Sequence, residues 1–155
     1  MGSAEHILFM DAAIAEAIRA EEEGEVPVGA VAVAGGKIIG MGHNRPISAN
    51  DPTAHAEIEA IRSAARALGS YRLVGVTLYV TIEPCAMCAG AIVNARIARL
   101  VYGARDPKAG ALGSVYDIGR DGRLNHRVEV VAGACEAECA AMMRAFFSKR
   151  RDAAE

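Results

Sequence analysis

Four side chains in this 155-residue chain have the types and the spacing to do metal chemistry. His55 and Glu57 stand in the stretch Pro52-Thr53-Ala54-His55-Ala56-Glu57. Cys85 and Cys88 stand in Glu83-Pro84-Cys85-Ala86-Met87-Cys88. Imidazole and thiolate are good ligands for zinc, a borderline-soft ion that favours tetrahedral sites. Residues three apart share one face of a helix, so a Cys-x-x-Cys pair at a helix start aims both sulfurs at one ion. Three protein ligands leave a fourth position for water, the arrangement of a catalytic rather than a structural zinc. Glu57 is two residues from His55. It can reach that position without binding the ion, and a carboxylate there can serve as general base and acid. The expectation is one zinc per chain, held by His55, Cys85 and Cys88.

The elements around these residues must hold them together. Ile7, Met10, Ile14 and Ile18 recur at helical spacing, which predicts a helix over 4–23, with Ser3 as N-cap and Gly24 as its stop. The β-branched run 26–34, the turn Gly35-Gly36 and the run 37–42 read as a hairpin. A loop rich in Pro, Asn, Asp and Ser follows over 44–52. Thr53 is the predicted N-cap of a helix to Leu68, with Ile58, Ile61, Ala65 and Leu68 on its apolar face and Gly69 as C-terminal cap. His55 then falls in its first turn. Residues 76–82 alternate as a strand, Pro84 ends it, and 85–95 reads as a helix that begins at the cysteines. Further strands are predicted over 98–102 and 128–131, and a last helix over 135–150 with Cys139, Met142, Met143 and Phe146 facing the core. The Gly-rich connection 105–125 is too long for an idle turn. The whole chain, 1–155, reads as one domain, a sheet with helices on both faces. Its first pair of strands is antiparallel and its later strands parallel.

Composition narrows the setting. The chain is 52% hydrophobic and 23% charged, enough apolar material for a sizeable core. No run is long and apolar enough to span a bilayer, and no export signal opens the sequence. Two of the four cysteines belong to the metal pattern, so a reducing cytoplasm is expected. The net charge of −2 excludes a generic polyanion binder, so any nucleic acid must meet local basic patches. Arg144, Lys149, Arg150 and Arg151 form one such patch, with Phe146-Phe147 inside it.

Other segments extend the pattern beyond the metal motifs. They are Glu25-Val26-Pro27-Val28-Gly29-Ala30, His43-Asn44-Arg45-Pro46, Thr77-Leu78-Tyr79-Val80, Gly103-Ala104-Arg105-Asp106, Asn125-His126-Arg127 and Phe146-Phe147. With them the chain resembles the bacterial tRNA-specific adenosine deaminases over nearly its whole length. The resemblance implies a cytidine-deaminase-like fold, a three-layer α/β/α sandwich on a five-stranded mixed sheet. It implies zinc-dependent hydrolysis of adenosine to inosine at the wobble position of a tRNA anticodon loop, with Glu57 moving the proton. Main-chain groups around Ala56 and Cys85, the Asn44 side chain and a wall at Val28 would hold the base, with Asp106 beside them. Lys108, His126, Arg144, Phe147, Lys149, Arg150 and Arg151 are the candidate RNA contacts. A homodimer on a tRNA anticodon stem-loop is also implied, and the apolar run 89–93 is consistent with an interface or with core.

Plainer readings stand beside these. The zinc site could be structural, closed by His43, Cys135 or Cys139. Glu57 alone would be an ordinary first-turn acid, and Asn44 an ordinary turn residue. Cys135 and Cys139 read best as small core hydrophobes. Two rival functions remain. One is a deaminase of the same fold acting on free guanine or cytosine, which would not need Asn44-Arg45-Pro46 or the basic, diaromatic C-terminus. The other is a zinc-stabilised RNA-binding module without catalysis.

Overall fold

The computed structural model describes residues 3–154. The strand β3 (Thr77–Ile82) is the centre of a five-stranded sheet. On one side lie β1 (Gly29–Ala34) and then β2 (Lys37–His43), both antiparallel to their neighbours. On the other lie β4 (Arg99–Ala104) and β5 (Glu129–Ala132), both parallel. The order β2-β1-β3-β4-β5 is thus mixed, as the hairpin and the later crossovers require.

Helices cover both faces, which is why β3 is buried on both. Val76, Leu78 and Val80 pack toward α2 (Ala56–Leu68) and α3 (Ala86–Asn94). Tyr79, with Val31, Val33 and Val101, packs toward α1 (Ser3–Glu22) and α4 (Glu136–Ala154). The 105–125 connection carries a short 3₁₀ turn, Ile118–Arg120.

Two helix faces differ from the periodic reading. α1 buries Phe9, Met10, Ala13, Ile14, Ala17 and Ala20, while Ile7 and Ile18 are exposed. α2 buries Ala56, Glu57, Ala60 and Ala64, and Leu68 is exposed. The cause is close approach. A Cβ on Gly42 would stand 2.4 Å from the Ala56 carbonyl oxygen, and one on Gly40 would stand 2.6 Å from the Ala64 nitrogen. Only a small-residue face on α2 fits against these glycines, so the larger Ile61 packs at its margin. This contact seats the start of α2, and with it His55 and Glu57, against the sheet. In α3, Ala89, Ile92 and Val93 belong to the chain's own core, which leaves Gly90 exposed and Ala91 half-buried. The proposed cap Ser3 opens α1, and its side chain lies outside the described residues.

Candidate metal centre and substrate cavity

His55 and Cys85 hold equivalent places. Each is the N-cap residue of its helix, with extended backbone angles (φ −74°, ψ 155° and φ −76°, ψ 178°), and neither side chain caps its own helix. Thr53, the expected cap of α2, instead donates its hydroxyl and its N–H to Asp51 Oδ1. The imidazole and the thiol are therefore free to face each other. Their helix starts are electropositive ends, where anionic sulfur is favoured. Cys88, one turn into α3, is buried beside them.

His55 Nδ1 lies 3.7 Å from Cys85 Sγ and 3.5 Å from Cys88 Sγ. A tetrahedral zinc with bonds of ~2.3 Å to sulfur and ~2.0 Å to nitrogen has nitrogen–sulfur edges of ~3.6 Å. The three donors thus fit a zinc ion in type and in spacing, and their ligand atoms all lie within 4.8 Å of one another. His43, Cys135 and Cys139 are not part of the group, so the described residues offer no fourth protein ligand there. None of the three residues that would close a structural site stands there.

The electrostatics suit proton transfer. Hydrogen bonds from Cys88 and His55 pull the Cys85 thiol down to about 3. Cys88, the donor to that thiolate and itself buried, is pushed up. The Cys85 partner in turn raises His55. Glu57 is 3% exposed, and burial is the main force pushing its carboxyl up to about 7. A carboxyl with that affinity can both take and return a proton near neutrality.

His55, Glu57 and Cys85 form the floor of a cavity of about 590 Å³, with Cys88 buried behind them. Its wall includes Val26, Val28, Asn44, Ile82, Asp106, Lys108, Met143, Phe147 and Arg151. Asn44 accepts the Ala56 N–H on Oδ1 at 2.9 Å, which leaves its NH₂ group as the donor for the cavity. Asp106 Oδ1 accepts the N–H groups of Lys108 and Ala109 and so shapes its own turn at the rim.

The other candidate contacts lie apart from this wall. His126 donates from Nε2 to the Ile97 carbonyl at 2.7 Å, a bond that ties the chain just before β5 to the link between α3 and β4. Arg150 stacks over Phe146 at 4.7 Å and donates to the Gly24 carbonyl. Lys149 sits 4.0 Å from Glu21, and Arg144 is exposed. Of the C-terminal set, Phe147 and Arg151 line the cavity.

Two functional residues were not singled out from the sequence. Glu83 is buried and accepts N–H bonds from Asp106, Leu112 and Ser114 and the Ser114 hydroxyl. Glu25 is buried and accepts from the Ile47 and Ser48 N–H groups and the Ser48 hydroxyl. Burial alone would raise both carboxyls, but these donors bring both below their ordinary value. Each acid fixes one loop at the cavity mouth, 105–125 and 44–52 respectively. Glu83 stands at the end of an apolar strand and Glu25 at the end of the acidic stretch Glu21-Glu22-Glu23-Gly24-Glu25, so neither position has a reading until its loop folds back.

Known proteins share this arrangement. Residues 4–151 match the family model of MafB19-like deaminases. The tRNA-specific adenosine deaminase of Bacillus subtilis is 50% identical over 144 residues, covering 93% of this chain and 89% of that one. That of Agrobacterium fabrum is 49% identical over 148 residues, covering 96% and 97%. This chain belongs to the tRNA-specific adenosine deaminase family. A solved structure from a study of A-to-I editing by tRNA:A34 deaminases superposes with a TM-score of 0.84 at 50% identity, over 86% of this chain and 97% of that one. A guanine deaminase from Bacillus subtilis superposes with a TM-score of 0.62, at 44% identity over 63% of each chain. The family assignment accounts for the cytidine-deaminase-like α/β/α sandwich with its two helix starts turned onto one cavity floor. No helix among the described residues is long and apolar enough to cross a membrane.

Proposed function

We propose that this chain hydrolyses adenosine to inosine at the wobble position of a tRNA anticodon loop, using one zinc ion per subunit. The observation that carries this reading is the floor geometry: His55 within 3.7 Å of both cysteines and a buried Glu57 beside them, in a chain half identical to tRNA-specific adenosine deaminases. The donor set His55, Cys85 and Cys88 would hold the zinc. When bound, the zinc supplies Lewis acidity that brings the pKa of a water toward ~7.

The chain's own residues do the rest. Adenine, flipped out of the loop, enters the cavity between Val28 and the Asn44 amide. Glu57 accepts the proton from the attacking water and delivers it to N1. Oxygen is then bonded to C6, and Glu57 moves the second proton to the amino nitrogen. The C6–N bond breaks, ammonia leaves and inosine remains. Asp106 and Lys108 would meet the nucleotide at one side of the mouth, and Phe147 and Arg151 at the other. The anticodon loop is single-stranded, so its bases can be splayed and read one by one. His126, Arg144, Lys149 and Arg150 would add outer contacts to the phosphates. The protein would work in the cytoplasm as a homodimer, its single domain spanning 1–155.

The test is ammonia release from an anticodon stem-loop beside free adenosine, guanine and cytosine. The expected result is efficient release from the stem-loop and little from any free base. Faster release from free guanine or cytosine would assign the site to the small-base deaminases instead. Tight stem-loop binding without ammonia would leave a binding module.

A further inference from the structure

His43, the last residue of β2, lies outside the cavity, and no step above uses it. It is 8% exposed, and both ring nitrogens face carboxylates: Nδ1 is 3.3 Å from Glu16 Oε1 and Nε2 is 2.9 Å from Glu23 Oε2. Each contact is carried by one proton between a ring nitrogen and a carboxyl oxygen. Glu16 belongs to α1 and Glu23 follows its end. The helix is tight on the sheet at this point. A Cβ on Gly29, which pairs with His43, would fall 2.0 Å from the Ala13 carbonyl oxygen.

The residue after His43 is Asn44. Its N–H donates to the Val28 carbonyl at 3.1 Å. Its Oδ1 accepts the N–H of Ala56, the residue between His55 and Glu57. A continuous path therefore runs from Glu16 and Glu23 through His43 and Asn44 to the start of α2. Burying a polar ring between two acids costs desolvation, and an apolar residue packed on α1 would serve stability as well. What the two hydrogen bonds add is direction, since they fix the ring and the adjoining backbone at the strand end.

We infer that His43 is a positioning residue, held by Glu16 and Glu23 so that Asn44 meets the start of α2 and the base at a fixed place. The inference rests on the deaminase reading of the cavity. Its test is a double-mutant cycle of His43→Leu and Asn44→Ala, with kcat and KM measured on the stem-loop per metal-loaded site. His43→Leu should lower kcat/KM by about ten- to a hundredfold, the cost of a misplacement near 1 Å. Most of that loss should vanish in the Asn44→Ala background, because the two residues act as a unit. An undiminished loss there overturns the inference, and so does wild-type kinetics per site with only a lower Tm. If His43→Leu does not fold, Glu23→Gln makes the same comparison, since the Glu23 side chain is 38% exposed and tolerates change. A second readout needs no reaction. Hydrogen exchange of the Ala56 amide, which Asn44 holds, should quicken in the His43 variant, and unchanged exchange overturns the inference. Wild-type protein that makes no inosine would instead count against the deaminase reading, and the exchange result would still decide the role of His43.

Discussion

The floor and the rim of one cavity are built by different means. The floor places four groups through two short segments, each the opening of a helix on the sheet. Spacing within three residues sets His55 against Glu57, and spacing within four sets Cys85 against Cys88. The rim draws on residues from three distant segments: Asn44 after β2, Asp106 and Lys108 after β4, and Phe147 and Arg151 on α4. Apart from the turn that Asp106 makes with Lys108 and Ala109, nothing local fixes these. Buried acids do, with Glu25 holding one loop and Glu83 the other. The difference teaches that chemistry here is a local property of the chain and substrate fit a tertiary one.

Floor variants should therefore lose turnover, and rim variants should lose fit. The largest effect is expected for Cys88→Ala, which removes a ligand at a fully buried position. Metal analysis should find the ion lost and activity with it, and denaturation should show lower stability, because site formation contributes to folding. Retained metal with normal turnover would take Cys88 out of the site. Next is Glu57→Gln, which should keep the metal and the fold while kcat falls by ~10²–10⁴-fold or more, since an amide cannot shuttle a proton. Near-normal kcat would remove Glu57 from the mechanism.

Glu83→Gln probes the rim. The new NH₂ group must face N–H donors, so stability should fall by about 1–3 kcal/mol in chemical denaturation. KM for the stem-loop should rise more than kcat falls. The acid response gives the sign. Donors in the folded state hold the Glu83 carboxyl below its ordinary 4.5. Its contribution is thus complete above that value and is lost as pH falls below it. The wild-type denaturation midpoint should drop more steeply through this range than that of Glu83→Gln, and parallel slopes would deny Glu83 its part.

The smallest effects belong to the tail. Arg151→Ala should raise KM for RNA and lower the salt slope by ~0.7 if it contacts one phosphate. Lys149→Ala and Arg150→Ala should do less, because these side chains turn to Glu21 and to Phe146 and Gly24. Equal effects from all three would make the tail a diffuse basic patch.

The same contrast explains what the sequence disclosed. The candidate metal group, the hairpin, the mixed sheet and most element ends were legible because each follows from neighbours in the chain. Met10 and Ile14 of α1 and Ile61 and Ala65 of α2 pack as expected, but Ile7, Ile18 and Leu68 are exposed, because burial there follows contact with Gly29, Gly40 and Gly42 rather than hydropathy. Thr53 was expected to cap α2, but Asp51 takes its hydroxyl and leaves His55 at the cap. Glu25, Glu83 and His43 were invisible as supports, since their partners lie 22 to 31 residues away for the two acids and 20 to 27 for the histidine.

The most direct measurement is sequencing of an anticodon stem-loop after incubation with wild-type protein and with Glu57→Gln. The account predicts inosine at the wobble adenosine alone with the wild type, and unmodified adenosine with the variant. Inosine spread over other adenosines, equal conversion by the variant, or no inosine from metal-loaded wild-type protein would contradict it.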